Sequence, residues 1–471
     1  MSIIHQNYQN LLNKIFKNVI QTQIASISFK NYVELVMNLN NEVFRLARKT
    51  LVNFFEILDE NFKNSKERKE KYYTKGKSNR YLVTIFGEIS FEREYYVPIN
   101  DSNSNEEKGF FFVDKFIGLK SSDTYDSVVK ALLMEAKVDQ SFQKAADQIS
   151  KLISLRNDRD IHISRQTVFN IFKNWELDLN INKFFDNPID NEKLYIILDE
   201  KYISSQDSDK ESIMVKHAVI YTGKTKIADN RNKLNNKITI SSTDSVFAFA
   251  DRINSIIDLN YTNIKELIIS GDGANWIKSC YSNICTCDKS SKMFVLDKFH
   301  CCQAINHITK DDDYKNILYE YLFGNKKDDF IALCQIIINN NLERKDIIND
   351  KLNYILSNWN AIQKINNSSF IGCPMESHIA NDLAKPFARD PKAYKRINLT
   401  KHIILRDYQL NNVNIFNLFL NSENHDLNQN FTSTLNTTSK LTNIPVLESN
   451  NSNIRNYVYN MCHNLNDIKP I

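Results

Sequence analysis

The stretch LIISGDGANWIK, Leu267–Lys278, followed after a short linker by MFVLDKFH, Met293–His300, decides the fold class. Each half opens on a short apolar run of strand type, and the first passes through Gly271-Asp272-Gly273 into an amphipathic segment. The second run ends in Asp297, with His300 three residues on. Strands that end in carboxylates are how a sheet edge presents acidic oxygens to a divalent metal and a phosphate. Glycine on both sides of Asp272 lets the backbone approach such a partner closely.

Working outward, KLYIILD from Lys193 reads as a strand, SIMVKHAVIYTG from Ser212 as another, and ITISST from Ile238 as a third. Ser245–Leu259 reads as a helix. Strands alternating with helices predict a mixed α/β sheet. From Cys301 to about Ile365 the pattern is helical, clearest in DDDYKNILYEYLFG and IALCQIIINN. Asp199 ends the first strand as Asp272 ends a later one. An Asp at one strand end is usually a turn-former or helix cap. Two in one α/β unit point instead to phosphodiester chemistry, in which two Mg²⁺ or Mn²⁺ ions activate the attacking oxygen and stabilise the leaving one.

The amino-terminal part carries DNA-binding candidates. Residues 3 to 62 read as two helices, the second with Val36, Leu39, Val43, Leu46, Leu51, Phe54 and Leu58 at helical spacing. Lys63 to Arg80 holds eight Lys and Arg against two Glu, with Tyr72 and Tyr73 among them. Such a run is a solvated loop or a phosphate-backbone contact, and Lys69, Lys71, Lys75 and Lys77 are its candidates. Tyr81–Tyr96 alternates around Gly87 as a hairpin, with Ile89, Phe91 and Tyr95 on one face. Ser141–Ile153 and a helix capped by Ser164 resemble a helix-turn-helix offering Arg165, Gln166 and Asn170. The linker is longer than the usual tight turn, so an ordinary helical hairpin is the alternative.

The chain's 471 residues predict several units. These are a helical segment 1–62, a basic loop and hairpin region 63–130, a helix-turn-helix-like region 131–190, a catalytic domain 191–410 with a helical insertion at about 301–370, and an Asn/Ser-rich tail 411–471. An apolar fraction of 42% can build real cores, and a net charge of only +4 means that DNA must be met by local basic patches. No secretory signal and no bilayer-length apolar run is visible, so a cytoplasmic, nucleoid-associated protein without a membrane partner is expected. Eight cysteines include Cys280, Cys285, Cys287, Cys301 and Cys302. Reduced thiols are expected. Their spacing matches no standard zinc pairing, and whether they bind metal stays open.

LYIILDEKY, GDGANWIK and LDKFH, in that order and followed by an acidic residue beyond a helical insertion, resemble the ISLre-type bacterial insertion-sequence transposases, distant relatives of the Mutator type. TIFGEISFEREYY, VDKFIGLK and ISRQTVFN extend the resemblance over roughly Lys77 to Arg406. It implies an RNase H-like catalytic domain with a DDE triad and a helical insertion. On that reading Asp199 and Asp272 are the first two metal ligands, and Glu376 in GCPMESHI is the third. A helix from about Met375 would aim Glu376 back at the sheet; an acid stabilising its own helix start is the alternative. Asp297 and His300 match the family's D-x-x-H step and are assigned support.

Two departures stand out. Glu200 takes the place of the family's usual Gly, and on a strand it would point away from Asp199. The segment beyond Glu376 offers Arg389, Lys395 and Arg396 for DNA but lacks the family's Trp. The resemblance implies a DNA transposase that cuts element ends and joins them to target DNA, working as a homo-oligomer with a dimer favoured. The alternative is an inactive or co-opted DNA-binding descendant of one.

Overall fold

The computed structural model describes residues 29–99, 109–157, 159–207, 211–229, 231–285, 291–388 and 392–424. They divide into two compact units of mixed α/β type. One takes the described residues up to Met134, then Phe142–Ile171 and those from Phe419; the other takes Glu135–Ser141 and Phe172–Leu418. Among the described residues no helix is long and apolar enough to cross a membrane.

In the first unit a long helix, α1 (Phe29–Asn64), packs its second half on a hairpin of β1 (Tyr72–Thr84) and β2 (Gly87–Pro98). Phe55, Leu82, Ile89, Phe91 and Val113 form the core there, whereas Val36, Leu39 and Val43 in the first half of α1 are exposed. The basic run is not a loop: Lys66–Lys71 is a helix and Tyr72–Thr84 a strand. The face assignment also slips at the end of β2. Tyr96 is buried while Tyr95 is half-buried and stacks edge-on against Phe111 of β3 (Phe110–Phe111). A bulge in β1 between Thr74 and Lys77, with Gly76 at φ 127°, shifts the pairing register there.

Helix α2 (Ser127–Asp139) starts at Asp126, whose Oδ1 accepts from Val129 N at 2.7 Å. Burial pushes this carboxyl up to about 6. The folded state therefore holds the proton more tightly than the unfolded chain. Stability is full below the unfolded value of 3.8 and falls as pH rises through about 6. Asp126→Asn keeps the cap acceptor, so it should flatten this slope and raise stability at pH 7 by about 1–2 kcal/mol, read by urea denaturation at pH 4.5 and 7. An unchanged slope would rule Asp126 out as its source.

Helices α3 (Phe142–Ser154) and α4 (Arg165–Asn174) follow. Ser150 Oγ and Ser154 Oγ accept from the Ile163 and Ile161 amides at 2.9 and 2.8 Å, which ties the long linker back onto α3. Ser164 caps α4 through the Thr167 amide at 3.0 Å.

The second unit is built on one five-stranded sheet. Its strands are β4 (Lys193–Ser204), β5 (Ser212–Tyr221), β6 (Ile238–Ser242), β7 (Glu266–Gly271) and β8 (Ser291–Leu296), in the spatial order β8-β7-β4-β5-β6. The first three pair antiparallel as a meander, and β7 and β8 add parallel to β4. Asp199 does not end its strand. The β4–β5 ladder runs on to the Ser204–Ser212 pair, which puts Asp199 mid-strand opposite His217.

Alternation sets the two faces of the sheet. Leu194, Ile196 and Leu198 look into the larger core with α5 (Val246–Asn260), α6 (Asn275–Asn283), α7 (Lys298–Ile308) and the insertion helices. Those are α8 (Asp312–Phe323), α9 (Lys327–Asn340), α10 (Lys345–Ser357) and α11 (Trp359–Gln363). Tyr195 and Ile197 face the other way, where Met375 covers them together with Ile268 and Val295. A one-turn helix, α12 (Met375–His378), leads directly into a π-helix, Ile379–Ala388. After α13 (Arg396–Leu410), the expected polar tail opens with another helix, α14 (Ile415–Asn424), whose Phe419 is buried.

Candidate active site

The carboxylates gather at the ends of β7 and β8 and in the middle of β4. Asp272 directly follows β7; its Oδ1 accepts from the Ala274 amide at 2.8 Å, shaping the turn into α6. Asp297 follows β8, and its amide donates to Gly271 O at 2.9 Å, so the two strand ends are held side by side. Asp297 also caps α7 through the Phe299 amide and holds His300 Nδ1 at 2.9 Å.

Burial pushes the Asp199 carboxyl up to about 6, and the negative charges of Asp272 and Glu200 push in the same direction. His300 is shifted the other way, above its ordinary value, by its hydrogen bond to Asp297 and by the charges of Asp297, Asp272 and Asp199. The structure therefore brings Asp199, Asp272, Asp297 and His300 into one electrostatic neighbourhood. A half-buried group of acids with a single imidazole among them carries surplus negative charge, and hard oxygen donors of this kind suit a divalent cation such as Mg²⁺ or Mn²⁺.

Glu376 does not join them. Met375, not Glu376, is the residue of α12 that turns to the sheet, and Glu376 is exposed. Among the described residues no three His, Cys, Asp or Glu side chains form a ready metal-holding group. Two ligands of the expected set are thus together, and the third lies on a segment docked over the same sheet face as Asp199.

Glu200 points to the opposite face, where it accepts from Trp276 Nε1 at 2.7 Å and stitches β4 to α6. Its presence next to Asp199 is accommodated by GDGANWIK's own Trp. Two supports come from the insertion: Tyr354 Oη donates to Asp272 O at 2.6 Å, and Asn358 packs against Gly273. Nothing in the local sequence around Tyr354 or Asn358 marks them, because the contact exists only once α10 has packed.

Arg165, Gln166 and Asn170 are all exposed on α4, with Gln166 Nε2 donating to Asn170 Oδ1 at 2.8 Å. Lys69, Lys71, Lys75 and Lys77 are exposed as well, but Lys71 pairs with Glu67 and Lys77 with Glu92. A groove lined by Glu56, Asp59, Glu60, Glu92 and Glu94 borders Lys77, which offsets the basic character of the strand. Lys395 and Arg396 are exposed at the start of α13, where Arg396 donates to Thr243 O at 2.9 Å. Arg389 and Cys287 lie outside the described residues. Cys280, Cys285, Cys301 and Cys302 are free thiols. Burial pushes Cys280 and Cys301 up to about 12, which makes them inert packing residues.

Comparison with known proteins finds relatives along most of the chain. A UPF0236 protein of Caldanaerobacter subterraneus subsp. tengcongensis, whose name carries eleven TTE designations, is 25% identical over 418 residues, 86% of this chain and 82% of the relative. A second UPF0236 protein of that organism, named with four designations, is 26% identical over 390 residues, 81% of this chain and 78% of the relative. The profile of the uncharacterised protein family UPF0236 matches residues 26–414, a span that takes in the whole five-stranded sheet, the Gly-Asp-Gly turn and Glu376, and the chain belongs to that family.

Proposed function

We propose that this protein is a DDE transposase of an insertion sequence, with an RNase H-like catalytic domain, Asp199 and Asp272 as the first two metal ligands and Glu376 as the third. The observation that carries the reading is the convergence of Asp199 and Asp272, from the middle of one strand and the end of its parallel neighbour, where their negative charges act on one another. The antiparallel meander followed by two parallel strands, with a helical insertion before the last acid, supports the RNase H-like assignment. The eleven designations in one relative's name also fit, since a gene present many times in one genome is what repeated transposition leaves behind.

Two divalent ions bound there would neutralise the phosphodiester and stabilise both the entering and the leaving oxygen. Asp199 and Asp272 would hold them through hard oxygens. Asp297 fixes His300 beside the acids, and Trp276 holds Glu200 off on the other face. Tyr354 braces the backbone at Asp272. The DNA partner would be met by Arg165, Gln166 and Asn170 on α4 and by the exposed Lys395 and Arg396. We take the working form to be a homo-oligomer, because two element ends must be cut together.

The test is purified protein with Mg²⁺ or Mn²⁺ and labelled DNA carrying both flanks of its own gene. Cleavage at the flank boundaries, followed by joining of the freed 3′ ends to a plasmid, is the expected result. Binding to those flanks without cleavage in either metal would favour the non-catalytic DNA-binding alternative, and cutting without joining would point to a nuclease.

A further inference from the structure

We propose that His217, Asp382 and His378 act together as a clamp that positions the Glu376 turn over the Asp199 strand, an inference that rests on the DDE reading above. His217 is the residue directly opposite Asp199 in the β4–β5 ladder, and the two side chains leave the same face of the sheet. It is completely buried. Its Nε2 faces Asp382 Oδ2 at 3.5 Å, and the same carboxylate oxygen lies 3.1 Å from His378 Nδ1. His378 is two residues beyond Glu376 in α12. One buried carboxylate therefore links the strand partner of Asp199 to the turn that bears Glu376.

The far side of His217 is equally fixed. Its Nδ1 meets Ser241 Oγ at 2.8 Å on β6. Ser241 donates its amide and its hydroxyl to the two oxygens of Asp407, at 2.6 and 2.9 Å. Ser241 Oγ thus lies between Asp407 and His217 and touches both. The chain of contacts runs from α13 through β6, β5 and the π-helix to α12, and is buried as far as Asp382. Burial pushes His217 below its ordinary value and would push the Asp382 carboxyl up, but its hydrogen bonding to the two imidazoles holds Asp382 well below the usual carboxylate range.

The backbone that carries Asp382 is unusual. Ile379–Ala388 is a ten-residue π-helix with Pro386 inside it. Such helices are rare and are found mostly as short pieces at functional positions. Here Leu383 and Phe387 pack against Ile203, Ile213 and Val215, and Ile379 touches both this cluster and the one under Met375. Asp199 sits on β4 between Ile197 of one cluster and Ile203 of the other. Apolar packing holds the segment on the sheet, and its main chain is anchored on either side of Glu376. Lys224 donates to Ile371 O and Gly372 O at 2.8 and 2.9 Å, and Arg406 donates to Asn381 O at 3.4 Å. The His378–Asp382 hydrogen bond and the His217–Asp382 contact orient the turn that lies between those two anchors. These three are positioning residues, not groups that touch DNA.

The experiment compares wild type, Asp382→Ala and His378→Gln by amide hydrogen exchange and by cleavage kinetics on gene-flank DNA with Mg²⁺. Exchange in residues 375–388 should speed up at least tenfold in both variants, while β4 and β5 keep their protection. Cleavage kcat should fall on the order of 10²-fold with the KM for DNA unchanged, the cost of a misplaced group rather than of lost binding. Unchanged exchange in 375–388, or an equal rise throughout the sheet, would overturn the clamp. If Asp382→Ala does not fold, His378→Gln, whose side chain is nearer the surface, decides. If wild type shows no cleavage, the DDE reading falls while the exchange result still decides the clamp.

Discussion

Asp272→Asn should lower metal-dependent cleavage of gene-flank DNA on the order of 10³-fold or more, with DNA affinity and melting temperature close to wild type. The substitution removes the charge and keeps the shape. The carboxamide oxygen it introduces can still accept from the Ala274 amide, and the bond from Tyr354 Oη goes to the main-chain oxygen, which does not change. The loss would therefore report on the carboxylate as a ligand and not on the turn. Asp297→Asn is the informative comparison. Asp297 caps α7 and holds His300; Asn keeps the cap oxygen but not the charge, so this variant should cost activity through His300 with stability close to wild type. Equal cleavage by Asp272→Asn and wild type would remove Asp272 from the site.

Much of this site is legible in the sequence because it is made of local signals. IKELIISGD and MFVLD are short apolar runs closed by an acid, and each becomes a parallel strand with its Asp at the end. Asp199 is harder to place because LDEKYIS interrupts its apolar alternation with charged residues before Ile203 resumes it. Only the partner strand Ser212–Tyr221 reveals that pairing continues to Ser204. Composition also misleads at Lys63–Arg80: the lysines lie on a short helix and an exposed strand face, which a charge count cannot distinguish from a loop.

Other parts are not local. Tyr354, Asn358 and Asp382 are separated from Asp272, Gly273 and His217 by long stretches of chain, and each reads as an ordinary helix residue until the sheet and insertion have packed. Buried His217 in SIMVKHAVIY looks like a lone polar residue in a core strand, since its partners Ser241 and Asp382 lie on other elements. That Glu376 is exposed follows from which residue of a single turn meets the apolar face. Met375 wins that position because burying its side chain is favoured and burying a carboxylate is not.

Gly271→Ala carries the second large effect, and it tests the geometry of the site rather than its charge. A Cβ at Gly271 would lie 2.8 Å from Leu198 O and 2.9 Å from Ile277 Cδ1. Leu198 O is backbone of the neighbouring strand, one residue before Asp199, so it can yield only if β4 and β7 part. The cost should be roughly 1–3 kcal/mol, seen as a lower urea midpoint. Parting the strands also separates Asp199 from Asp272, so cleavage should fall further than the stability loss explains. Ile253→Val removes one methylene from the core beneath α5 at a cost of about 0.5–1.5 kcal/mol and leaves the strand spacing alone. Under conditions where both variants remain folded, Ile253→Val should cleave like wild type and Gly271→Ala should not. Matching activity in the two would mean that the close approach of β4 and β7 serves the fold alone, and that Asp199 and Asp272 need not be held at this separation for the chemistry.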